Sequence, residues 1–178
     1  FLQRVRSLPL DTQRLLLAAA AEPIGDAGLL LRAAERLAVG PSSLAPAESA
    51  GLIAVGVSVR FCHPLARSAV YRAATVGARS EAHRVLAEST DPEVDPDRRA
   101  WHLGRAALEP DESVAGALEA SAGRARSRGG NAAAAKILLF ERQDAGDVVG
   151  QSADLANPPG RPRPHLRGHV VHHRHPVP

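Results

Sequence analysis

Apolar residues recur three and four positions apart along most of this chain, and one stretch alone breaks that rhythm. Leu15, Leu16, Ala19 and Ala20 follow Pro9 and Asp11 at helical spacing, and Pro23 ends the run. Asp26 offers an N-cap to a second helix carrying Leu30, Leu31, Ala34 and Leu37 as far as Gly40-Pro41. A short third helix is predicted over about 44–50. The period then changes to two: Val57, Val59 and Phe61 alternate with Ser58, Arg60 and Cys62, and Gly56 separates them from the apolar run 52–55. The spacing predicts a small antiparallel hairpin over 52–62. Next comes His63-Pro64, which predicts a helix over 64–74 with His63 as its N-cap, because proline fits the first helical position. On that helix Arg67 and Tyr71 define a face available to a ligand, and Leu65, Ala69 and Ala73 define the face expected in the core.

The remaining text is helical to about residue 135. Ala82, Val85, Leu86 and Ser89 predict the inward stripe of a helix over 76–90. Asp95-Pro96 opens another over 96–108, and Val114, Leu118, Ala122 and Ala125 stripe a third over 111–128, ended by Gly129-Gly130, after which Asn131 can cap one more. Three helices followed by a hairpin is the order of a winged helix, and the later helices pair like tetratricopeptide-like α-hairpins, although no clean repeat period is visible. The expected architecture is therefore mainly α: a winged-helix domain at 1–74, a helical repeat-like segment at 75–140, and a disordered Pro/His/Arg-rich tail at 141–178. Residues 158–178 hold 6 Pro and 5 His. Such a tail is what a shifted or truncated GC-rich reading frame yields, and Phe1-Leu2, in what reads as mid-helix, is expected to mark a fragment boundary.

Composition narrows the chemistry. Apolar residues make up 44% of the 178, aromatics only 3%, and Met is absent, so the core must come from Leu, Val and Ala. Cys62 is the single cysteine, which excludes an internal disulfide or a cysteine-rich zinc site and favours a reducing cytoplasm. No signal peptide and no membrane-length apolar run is visible. The excess of basic charge is spread thinly: residues 1–135 hold 16 arginines against 15 carboxylates. The expected third helix contains no Arg, Lys, Asn or Gln to read base edges, which argues against DNA recognition by it. No G-x-x-x-x-G-K-[ST] loop occurs, so no triphosphate cradle is expected, and no nucleophile–base constellation supports an enzyme. Asp91, Glu93, Asp95 and Asp97 are interrupted by two prolines and read as a helix-capping linker rather than a calcium loop. His83 and His102 read as packing or surface residues. His165, His169, His172, His173 and His175 read as adventitious metal binders at most.

Phe61-Cys62-His63-Pro64-Leu65-Ala66-Arg67-Ser68-Ala69-Val70-Tyr71 resembles the F-R-H-P-L-V-R-S-A-V-Y signature of large LuxR-type, ATP-dependent transcriptional regulators of actinobacteria, in the STAND class of signalling ATPases. The likeness runs from about Leu8 to Ala135 and includes Arg98-Arg99-Ala100-Trp101-His102-Leu103. Cys62 stands where that family usually has a basic residue, and Ala66 where it has valine. The resemblance implies the family's winged-helix segment and the start of its helical arm, with the ATPase domain upstream and the promoter-binding helix-turn-helix downstream. It further implies that His63 acts like the MHD-motif histidine that contacts the ADP β-phosphate. Arg67 then either adds a phosphate contact or pairs with a carboxylate. ADP or ATP would belong to the full-length regulator, with no cofactor held by this chain itself. Expected partners are proteins or intact paralogues through the helical arm, DNA only through the separate C-terminal domain, and no membrane. A stand-alone DNA-binding winged helix and a helical protein-interaction module are the other classes left open.

Overall fold

The chain folds around one long apolar helix near its start. The computed structural model describes residues 2–130. The expected tail at 141–178, its histidines and the capping role of Asn131 lie outside the described residues. Eight α-helices and a two-stranded sheet are formed within them. Helix α1 (Leu2–Arg6) leads to α2 (Leu10–Ala21), whose Leu15, Leu16 and Ala18 are completely enclosed. A fully buried leucine contributes about 1.5–3 kcal/mol relative to an exposed one, so these positions anchor the core. Helix α3 (Ala27–Arg36) starts where Asp26 Oδ1 accepts the Leu29 N–H at 2.9 Å, the expected cap. It buries Leu29, Leu30, Ala33 and Ala34. Leu31, expected inward, is exposed, because the stripe that meets α2 is set one position earlier.

The short third helix lies where expected, to within a residue at each end. A 3₁₀ turn (Pro41–Leu44) runs into α4 (Ala45–Ser49), which buries Ala47. Strands β1 (Ile53–Val55) and β2 (Val59–Phe61) pair antiparallel with Ile53 opposite Phe61 and Val55 opposite Val59. Val57 was expected to point inward with Val59; it sits in the turn, wholly exposed, because the hairpin loop extends over 56–58. The hairpin is tied to the α2–α3 loop. Val59 N–H donates to the Gly25 carbonyl at 2.8 Å, and Gly25 has a φ of +75°. A Cβ at Gly25 would lie 2.3 Å from the Val59 carbonyl oxygen, so only glycine permits this approach.

Helix α5 (Pro64–Ala73) packs on α2, and α6 (Val76–Ser89) lies against both α2 and α3. Ala82, Val85 and Leu86 of α6 join the same core cluster as Leu16, Leu29 and Ile53. Helix α7 (Pro96–Ala106) follows on α6, and α8 (Glu112–Ser127) on α7. Asp95 and Asp111 cap α7 and α8 through their side chains, and Gly104 lets Leu118 of α8 come close to the α7 backbone.

The face of α5 that meets the core differs from expectation. Ala66 and Val70 are buried and Arg67 and Tyr71 half-buried, whereas Leu65 and Ala73 are exposed. Long amphipathic side chains bury their stems beside a core while keeping polar tips at its edge, and Arg67 and Tyr71 do this.

Side chains close several helix C-termini from other elements. Arg67 Nε donates to the Ala20 carbonyl in the last turn of α2 at 2.9 Å, and Arg32 Nε to Ser89 at the end of α6 at 3.0 Å. Arg4 reaches the Ala50 carbonyl after α4, Arg79 that of Ala74 after α5, and Ser80 Oγ that of Ala106 at the end of α7. The last carbonyls of a helix lack intrahelical donors and carry the negative end of its dipole, so cationic donors stabilise them twice over.

Candidate functional site

His63 occupies the junction between β2 and α5. Its Nδ1 accepts the Leu65 N–H at 3.1 Å, so the ring is the side-chain cap of α5, and it is exposed at the surface. The start of α5 brings backbone N–H groups and the positive end of a helix dipole beside the imidazole. Arg67, one turn further on, has its Nε committed to the Ala20 carbonyl of α2. Arg67 lines a cleft of which His63 is not a wall. The two residues thus lie on one helix without converging on one point.

A different group of polar residues converges in the interior. Glu22, directly after α2, His83 on α6 and His102 on α7 are 2%, 1% and 0% exposed. His102 Nε2 lies 3.2 Å from Glu22 Oε2, and His102 Nδ1 lies 2.9 Å from His83 Nδ1. His83 Nε2 lies 2.9 Å from the Tyr71 hydroxyl. Glu22 Oε1 accepts the Ile24 N–H at 2.8 Å, which fixes the carboxylate in place. Four elements are therefore joined by one hydrogen-bonded chain.

Elementary donor counting gives that chain a direction. Burial alone raises the Glu22 pKa, but the hydrogen bonds from His102 and the Ile24 N–H, with the field of a protonated His102 and of Arg98, outweigh it and leave the carboxyl below its ordinary range. Glu22 is then an acceptor only, so His102 donates from Nε2. With a neutral His102, Nδ1 accepts, His83 donates from Nδ1, and the free pair on His83 Nε2 accepts the Tyr71 O–H. Burial, followed by the charge His102 carries when protonated and by the charges of Arg105 and Arg79, lowers the His83 pKa to about 3, so His83 stays neutral near neutral pH.

The outer end of the chain forms the wall of a cleft of about 310 Å³. Tyr71 and Trp101 provide rings, and Arg67, Arg72 and Arg105 provide cations. The His83 and Trp101 rings meet edge-on at 5.3 Å, and the Arg105 guanidinium lies 5.7 Å from the Trp101 ring centre. A second cleft of about 550 Å³ is walled by Asp26, Arg32, Asp95 and Arg98. There Arg98 pairs with Asp26 and Asp95, both at 3.0 Å, so its charge is already matched.

Reading the sequence for packing placed His83 and His102 inside or on the surface but missed their partnership, and it missed Glu22 altogether. A signal for His83 was present: it stands three residues before Leu86 and four before Ala87, on the inward stripe. For Glu22 there was none, since its partner is distant in the chain. Asp91, Glu93 and Asp95 behave as a capping linker: Asp91 accepts the Glu93 N–H and Asp95 the Arg98 N–H. Among the described residues no group of three or more His, Cys, Asp and Glu is placed to hold a metal ion, and no helix is long and apolar enough to cross a membrane. No protein-family model matches the chain, and no characterised protein or solved structure is found to be similar to it.

Proposed function

We propose that this chain works as the regulatory winged-helix segment and the first part of the helical arm of a LuxR-type, ATP-dependent transcriptional regulator. On this reading the hairpin 53–61 is the wing, α5 is the helix that carries the sensor histidine, and α6 to α8 begin the tetratricopeptide-like arm that relays a signal. What supports it is the position of His63: an exposed imidazole that caps α5 directly after β2, within the F-C-H-P-L-A-R-S-A-V-Y run. A histidine at a helix N-terminus adds a donor to backbone N–H groups already suited to a phosphate. The contact would exist only in the ADP-bound form and so stabilise that form alone. The nucleotide cradle and the promoter reader are supplied by other domains, since α4 is five residues long and carries no side chain that reads bases.

The test uses the full-length regulator carrying this segment, purified with ADP. His63→Asn keeps a good N-cap while removing the imidazole. Retained ADP, quantified after gel filtration, is expected to fall by about tenfold, the effect of one lost charge-assisted contact. The variant should also activate transcription without inducer. Unchanged ADP retention in His63→Asn would overturn the proposal.

A further inference from the structure

We propose that α7 and α8 form a unit that swings away from α6 when the histidine pair enclosed beneath α7 takes up protons, which makes this end of the molecule an acid-operated conformational switch. The proposal does not rest on the family reading, because His63 takes no part in it.

Apolar burial is divided unequally along the chain. Among the described residues the continuous core runs from Val5 on α1 to Leu86 on α6, and Ala100, Leu118 and Ala122, although buried, stand outside it. Of the largest wholly enclosed side chains, which include Leu15, Leu16, Leu29 and Leu86, α7 and α8 supply only His102. These two helices are joined to each other by Leu118, seated against Gly104, and by Asp97, which pairs with Arg124 and Arg128. What fastens α7 to the rest is small or polar. Ala100 is its one buried apolar side chain, a methyl group where α2 and α3 offer leucines. The other ties run from His102 to His83 and Glu22, from Arg98 to Asp26 at 3.0 Å, and from Ser80 Oγ to the Ala106 carbonyl. Arg32 holds the Ser89 carbonyl, so the end of α6 stays with α3 and the unit turns on the connection 90–95.

Counting donors shows what a proton does at that interface. The Nδ1 atoms of His83 and His102 lie 2.9 Å apart, which requires a hydrogen on one and a lone pair on the other. The pair admits one further proton, on His102 beside Glu22, if His83 turns its own hydrogen to Nε2. A second would set N–H against N–H in an interior that neither ring can leave, so the closed form refuses it. With α7 swung out, both rings reach water and each takes its own proton. Around the pair stand Glu22 from the end of α2, Tyr71 from α5, Arg79 on α6 and Arg105 on α7, while Arg98 acts on Glu22 and pairs with Asp26. From α8, Arg124 and Arg128 turn to Asp97 instead. Burial, with the cations beside it, holds the His83 pKa at about 3 in the closed form, against about 6.5 in water. The closed form is therefore fully favoured above about pH 6.5 and loses ground to the open form by up to about tenfold per pH unit below it.

Hydrogen–deuterium exchange of the whole chain, read by mass spectrometry and corrected for the intrinsic pH dependence of amide exchange, tests this at about pH 7.0 and about pH 5.5, on either side of the ordinary histidine value. Peptides of α7 and α8 are expected to be less protected than those of α2 and α3 at both values, and their protection to fall about tenfold between the two. In His83→Gln the fall should be smaller, since an amide takes up no proton. Arg98→Gln removes the tie to Asp26, so it should lower the protection of α7 and α8 at both values and leave the fall between them in place. The proposal is overturned if α7 and α8 are protected as strongly as α2 and α3, if their protection is the same at the two pH values, or if it falls as far in His83→Gln as in the parent. An Arg98→Gln chain in which α7 and α8 keep their full protection, or lose the fall, likewise sinks it.

Discussion

His83 is buried as a neutral base, and that choice makes the protein's stability depend on pH in a particular window. Its pKa is held down to about 3 in the folded chain, by burial first and then by the charge His102 carries when protonated and by the charges of Arg105 and Arg79. In the unfolded chain it titrates near its ordinary value of about 6.5. Between those values the unfolded state binds a proton that the folded state refuses, so stability is full above about 6.5 and declines as pH falls, by up to about 1.4 kcal/mol per pH unit. Glu22, Asp26 and Asp97 are lowered carboxyls, whose contributions are lost only further down, as pH passes through the carboxylate range. Urea unfolding between pH 7 and pH 5 therefore separates the histidine from those carboxyls: the slope of midpoint against pH should be flatter in His83→Gln than in the parent. Identical slopes would mean that His83 protonates freely in the folded state. Glu22→Ala removes the acceptor of His102 Nε2 and should cost about 1–3 kcal/mol at pH 7, the penalty for a buried donor left without a partner.

At the scale of elements, caps and close approaches decide where the chain turns. Asp95→Ala removes the acceptor for Arg98 N–H at the start of α7, and a lost N-cap costs about 1 kcal/mol. Gly25→Ala should cost more, about 1–3 kcal/mol, because the left-handed φ and the contact with the Val59 carbonyl both resist a Cβ. Thermal unfolding of the two variants, compared with the parent, checks the order of the effects. These elements were largely legible in the sequence, for reasons that are local. Asp26, His63-Pro64, Asp95-Pro96 and Gly129 punctuate the helices with residues whose backbone preferences are strong. What was not legible depended on distant partners. The burial of Arg67 and Tyr71, in place of Leu65 and Ala73, follows from the carbonyl that α2 presents to Arg67 and from the imidazole that α6 presents to Tyr71. The exposed turn position of Val57 follows from the tie between Val59 and Gly25, which sets the register from outside the hairpin. Helical period alone carries neither piece of information.

On the scale of the described molecule, residues before and after position 74 share one core. Ala82, Val85 and Leu86 of α6 close over Leu16 and Leu29, and Arg32 fastens α3 to the end of α6. A chain ended at residue 74 would expose that apolar surface, so it should give no cooperative urea transition; a sharp transition in that truncation would show that the N-terminal helices and hairpin carry a sufficient core of their own. The hydrogen-bonded chain spans the same junction, and its direction is a property of the whole rather than of any one member. With an ionised Glu22 and a neutral His102 every proton in it points the same way, toward the carboxylate. An amide at that place, as in Glu22→Gln, can accept or donate. In the second case His102 and His83 both switch tautomer and Tyr71 is left to accept where it had donated. The phenol at the cleft then reverses its polarity while no heavy atom has shifted. A conservative exchange beside α2 is thereby converted into a change of sign at the far wall, and two such variants could share one atomic outline while offering a visiting molecule opposite electrical faces.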